Sequence, residues 1–196
     1  MGTHLTKRGP RRGGAHAVLA ALLAMLVAGC GSEAPAAPEA PATNATDVMY
    51  AQMTVEHISQ GRPVLDLAVD RGTAPELIAV ATQLRDEWKT ENTTLTGWLT
   101  GWGKPATADP NESVHAGHGA LHALRPRDVD ELRTAKDQDF DRTAVALLLG
   151  HLHNGMETAR MEAGGGAYPP AVDLARTTTM KRQAEIQRLL TLAAGQ

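Results

Sequence analysis

Displaced along itself by 94 residues without a gap, the chain repeats: Asp47 falls on Asp141, His57 on His151, Gly61 on Gly155, Gly72 on Gly166, Pro75 on Pro169, Ala81 on Ala175, Glu91 on Glu185 and Leu95 on Leu189. Eight identities are few, but the glycine-to-proline breaks, the histidines and the glutamates all stay in phase, which marks a duplicated unit. The repeats cover about residues 47–103 and 141–196, separated by a segment at 104–125 that lacks helical periodicity and contains His115, His118 and His122. Within each repeat the apolar residues recur with the period of a helix rather than a strand. A helical hairpin present twice packs most simply as an antiparallel four-helix bundle, so the expected fold is all-α.

On the first helix Tyr50, Met53, Thr54, His57, Gly61 and Val64 fall within about a third of a turn at 100° per residue, placing His57 on the inward stripe. Gly61 and Pro63 are expected to bend or end this helix before Val64 to Val69 continues it. The second opens at Pro75 with Thr73 or Ala74 as its cap and runs to about Gly101. Its inward face reads Leu77, Val80, Leu84, Trp88, Glu91, Leu95, Trp98 and Trp102, with Glu91 in the middle of an apolar stripe. A short helix from Pro126 through Ala135 follows, with acidic residues at its start. The third long helix spans about Gln138 to Glu162 and is stopped by Gly164-Gly165-Gly166. Tyr168-Pro169-Pro170 then opens a fourth, ending near Ala194, whose inward residues are Ala171, Leu174, Ala175, Thr178, Glu185, Leu189 and Leu192.

Residues 1–29 read as an export signal: a basic head (Lys7, Arg8, Arg11, Arg12), an apolar run from Ala15 to Ala28, and small residues before Cys30. That run is shorter than the ~20 residues a membrane span needs. Cys30 is the only cysteine, which excludes an intrachain disulfide. Its place after Leu26-Val27-Ala28-Gly29 resembles a lipobox, which implies a lipid on Cys30 that anchors the mature chain to the outer face of the cell membrane. Residues 30–46, rich in Ala, Pro and Thr, form the expected tether, and 47–196 the bundle domain. Without residues 1–29 the chain keeps 15 basic against 22 acidic residues, a balance that argues against nucleic acid as a partner.

The chemistry converges on four inward groups, His57, Glu91, His151 and Glu185, one from each long helix. An ionised carboxylate in an apolar stripe is costly unless a cation meets it. Bundle interiors that hold metals are built from side chains on facing helices, and imidazole, carboxylate and thioether donors suit a late first-row transition metal. With Met53 and Met156 beside the histidines, the expected ion is copper. His115, His118 and His122, spaced H-x₂-H-x₃-H, form a second-tier candidate. The alternative is a metal-free polar network in which the same His and Glu groups satisfy one another and set the bundle's register.

Several stretches resemble the exported bacterial family called domain of unknown function 305, a ferritin-like helical bundle linked to copper. The family's Met-Ile-x-His-His corresponds to Met53-Thr54-Val55-Glu56-His57, and its Gln-x-x-Glu-Ile to Trp88-Lys89-Thr90-Glu91-Asn92, which leads into Trp98-Leu99-Thr100-Gly101-Trp102-Gly103. The second copies read Leu148-Leu149-Gly150-His151-Leu152-His153 and Arg182-Gln183-Ala184-Glu185-Ile186. Neither copy keeps the adjacent His-His pair. His151 and His153 point roughly 200° apart on an unbroken helix, whereas His153 and Met156, three residues apart, share a face.

Signatures of catalysis are missing. No Glu-x-x-His pair lies on a long helix, as a di-iron bundle requires; Glu112 and His115 have that spacing only in the 104–125 segment. Nucleophile elbows, phosphate loops and dinucleotide fingerprints are absent, so no organic cofactor is expected. The expected function is a lipid-anchored envelope protein that binds or buffers copper, through Met53, His57, Glu91, His151, His153, Met156 and Glu185, and is not an enzyme. The alternative is a structural or partner-binding lipoprotein with a polar core, and a redox enzyme comes third.

Overall fold

A computed structural model describes residues 42–107 and 124–195. Cys30, the export signal, most of the tether and His115, His118 and His122 lie outside the described residues. The helices are α1 (Ala45–Arg71), α2 (Pro75–Gly101), α3 (Pro126–Thr134), α4 (Asp137–Gly165) and α5 (Pro169–Ala194). The four long ones form the expected bundle: α1 pairs with α2, α4 with α5, and the two hairpins join mainly through α1 against α4. No described helix is long and apolar enough to cross a membrane.

Helix α1 starts earlier than the tether boundary implied, because Asn44 caps it. The Asn44 side chain accepts from the Thr46 and Asp47 amides, while Asp47 accepts from the Asn44 amide, closing a capping box. Nor does α1 break at Gly61-Arg62-Pro63; it runs on to Arg71. An interior proline costs about 3 kcal/mol or more in an isolated helix. Here Val64, Leu65 and Ala68, all fully buried just beyond it, hold the continuation in place.

Helices α2 and α5 begin with proline and lack a side-chain cap of their own. Each is capped from the opposite hairpin. Asp141 on α4 accepts from the Thr73 and Ala74 amides at 3.0 and 2.8 Å and from the Thr73 hydroxyl at 2.6 Å. Asp47 on α1 accepts from the Ala167 and Tyr168 amides at 3.0 and 2.9 Å. These contacts are related by the repeat, and such a cap is worth about 0.5–2 kcal/mol. The sequence pattern offered Thr73 or Ala74 as local caps; the long-range carboxylate does the work instead.

The core broadly follows the predicted stripes, with a shift at the end of α2. Leu99 is buried where Trp98 and Trp102 are only half-buried, and those two rings pack against Tyr168 at centroid distances of 5.4 and 5.3 Å. Short α3 is held at its C-terminal end by Arg71, which donates to the carbonyls of Arg133 and Ala135, both at 2.7 Å, and lies over the Phe140 ring.

Candidate functional site

His57 and His151 meet where α1 crosses α4. Their rings stack with centroids 3.6 Å apart and planes 4° from parallel. Room for this comes from the paired glycines: a Cβ on Gly155 would stand 2.6 Å from His57 Nε2, and one on Gly61 would overlap His151 and the tip of Trp88. Each histidine thus fills the notch left by the other repeat's glycine. His151 Nε2 donates to the His57 carbonyl at 3.0 Å, leaving Nδ1 bare and buried with no partner. Burial lowers both imidazoles: His151 falls to about 4, and His57 lies well below its ordinary range, pushed further by His151 and Arg182. Trp88 closes the cluster edge-on to both rings.

Glu91 and Glu185 also face inward, but their cation is Arg182. This side chain, 4% exposed, reaches Glu91 Oε1 through Nη2 at 2.7 Å, and through Nη1 it reaches Glu185 Oε2 at 2.7 Å and Glu87 Oε2 at 2.8 Å. Gln83 donates to Glu87 and Glu185, and Thr178 to Glu91. One guanidinium serves three carboxylates, and burial raises Glu91 and Glu185 above the usual carboxylate range against its pull. Between this network and His57 lies a cavity of about 20 Å³, lined among others by Tyr50, Thr158 and Thr178. That is room for one water molecule.

The four sequence-predicted groups therefore meet in the interior without forming one ligand set. A metal needs imidazole lone pairs that converge in their ring planes, about 2.0 Å from the ion. Parallel rings 3.6 Å apart cannot both aim at a single ion. The carboxylates are engaged by a positive group that repels a second cation. His151 Nδ1 is a bare donor, but one donor is no copper site. No group of three or more His, Cys, Asp or Glu among the described residues is placed to hold a metal.

The remaining predicted donors separate. Met156 is buried at 4% exposure while His153 is exposed, so the shared face expected for them is not formed: α4 turns Met156 into the core and His153 to solvent. His153 Nδ1 donates to the Leu149 carbonyl at 2.8 Å, which leaves Nε2 as the nitrogen with a free lone pair. Met53 is half-buried on α1.

The profile of the family "Domain of unknown function (DUF305)" matches residues 47–193. The chain belongs to this family. The DUF305 fold seen here is similar to that of a DUF305 fragment from Deinococcus radiodurans, with a TM-score of 0.68 and 18% identity over 80% of this chain and 100% of that one. A DUF305 protein from Streptomyces coelicolor matches with a TM-score of 0.70 and 19% identity over 76% and 93% of the two chains. CopM in its Cu(I)-bound form matches with a TM-score of 0.65 and 20% identity over 78% and 98%, and its Cu(II)-bound form with 0.64 and 21% over 76% and 96%. Among the curated proteins none matches.

In this DUF305 chain the residue that sequence reasoning missed is Arg182. It lies four residues after Thr178 and three before Glu185, on the stripe already identified as inward. The signal was an arginine on an apolar face within reach of two buried glutamates. Asp47 and Asp141 were visible as a repeat identity, but not as caps.

Proposed function

We propose that this DUF305 protein is exported, held at the outer face of the cell membrane by a lipid on Cys30, and binds copper there without catalysing a reaction. The observation that carries the copper reading is the likeness in fold to CopM, solved with both Cu(I) and Cu(II). The stacked histidines and the Arg182 network favour donors outside the core. His153, with its tautomer set by Leu149, is one such donor, and His115, His118 and His122 supply imidazoles at suggestive spacing.

Calorimetric titration of the full chain with Cu(I) and Cu(II) tests this. Replacing His153, His115, His118 and His122 by alanine should abolish tight binding, while a His57/His151 double variant that still folds should keep the wild-type stoichiometry. No binding by the wild type, or loss confined to the core variant, would sink the proposal. A second reading, a structural or partner-binding lipoprotein, is favoured by the way Arg182 satisfies the inner carboxylates without metal. It predicts that copper leaves Tm unchanged, whereas a ligand of the native state must raise it.

A further inference from the structure

Glu162 on α4 is fully buried, and both its oxygens lack a donor. Its neighbour is another buried carboxylate, Asp47, whose Oδ1 takes the Ala167 and Tyr168 amides just past Gly166, where a Cβ would overlap Glu162 Oε1. Two adjacent buried carboxylates cannot both be ionised without a cation, and no Arg or Lys among the described residues pairs with either.

The repeat indicates how the conflict is resolved. At the turn of the first hairpin the capping carboxylate, Asp141 of α4, receives two amides and the hydroxyl of Thr73. Shifted by 94 residues, Thr73 becomes Ala167, which has no hydroxyl, and Ala68 becomes Glu162. The O–H donor lost at one position is thus replaced by a carboxyl at another. We propose that Asp47 and Glu162 share a proton at neutral pH and form a latch, opened by alkali, that pins the start of α1 to the α4–α5 turn.

Asp47 is the part of the pair that stays ionised: it accepts from the amides of Asn44, Ala167 and Tyr168. Glu162 is the proton carrier; burial, then the Asp47 hydrogen bond and charge, raise it to about 8. From α1 the pair is also faced by Tyr50, and from the turn by backbone amides; Asn44 adds a bond from its side chain to the Gly165 carbonyl at 2.8 Å. When Glu162 loses its proton, repulsion falls on the carboxylate that orders both the first turn of α1 and the entry to α5. Tyr168, whose amide binds Asp47, touches Trp98 and Trp102, so opening is optically visible.

Thermal melts of the full chain, followed by tryptophan fluorescence between pH 6 and 10, test the latch. Wild type should lose Tm as pH rises from 6 toward about 8 and level off above it, and Glu162→Gln, which keeps a donor to Asp47, should hold its Tm through that window. Glu162→Ala combined with Ala167→Thr moves the hydroxyl of the first hairpin into the second and should behave like Glu162→Gln. Should the variants fail to fold, carboxyl ¹³C NMR of wild type reads Glu162 directly. A titration midpoint near the ordinary 4.5, or a Glu162→Gln variant that tracks wild type, would overturn the proposal. So would a rise in Tm on adding calcium that Glu162→Gln lacks, since the pair would then hold a cation rather than a proton.

Discussion

Trp88 in the first hairpin and Arg182 in the second occupy equivalent places, 94 residues apart, and face each other with the guanidinium 6.0 Å from the indole ring. Around them the hairpins are alike: paired aspartates cap from across the bundle, paired histidines fill paired glycine notches, and paired glutamates point inward. At this one position half of the interior is closed by aromatic packing and the other half by a buried charge. The duplicated backbone therefore does not imply duplicated chemistry. One substitution in one copy supplies the cation that both glutamates require, removing the need for an ion between them.

The largest expected effect breaks that asymmetry. Arg182→Ala strands Glu91 and Glu185 in the core, and urea unfolding should show a loss of about 3–5 kcal/mol. Adding Glu91→Gln and Glu185→Gln should recover a substantial part. Trp88→Ala should cost a similar ~3–5 kcal/mol through lost packing, with no recovery from the same carboxamides.

The second prediction concerns pH. His151 titrates near 4 in the fold against an ordinary 6.5, so the unfolded chain binds more protons between those values. Stability is thus fully present above about pH 6.5 and is lost as pH falls toward 4, by up to about 3 kcal/mol. His57, shifted in the same direction, adds to the loss. Urea melts at pH 7 and 4.5 read this, and His151→Gln should flatten the slope; an unchanged slope would refute the assignment.

Smaller effects separate the two notches. Gly61→Ala drives a methyl into buried His151 and Trp88, an overpacking cost of about 1–3 kcal/mol. Gly155→Ala meets only the edge of half-buried His57, which can shift, so its cost should be the lower of the two. Smallest is Asp141→Ala, which removes the cap of α2 and should cost about 0.5–2 kcal/mol; Thr73→Ala should reproduce part of that loss.

Much of this architecture was legible in the chain. The internal repeat, the glycine-to-proline breaks and the helical stripes gave four long helices with ends within a few residues of those observed, and inward positions for His57, Glu91, His151 and Glu185. Local rules failed where a distant group overrode them. Pro63 reads as a helix breaker because its cost is local, while the burial that outweighs it comes from helices far away in sequence. Asp47 and Asp141 read only as a repeat identity because their amide partners lie 120 and 67 residues away. Arg182 was passed over because arginines are usually exposed.

The sequence by itself determined which residues face inward, since the angle between side chains on one helix is set by their spacing. Only the tertiary structure decided what those residues meet. That depends on the height and rotation of one helix against another and on which charge fills the space between them. Here two glycine notches bring the imidazoles face to face, and one guanidinium takes the carboxylates that a metal would have needed.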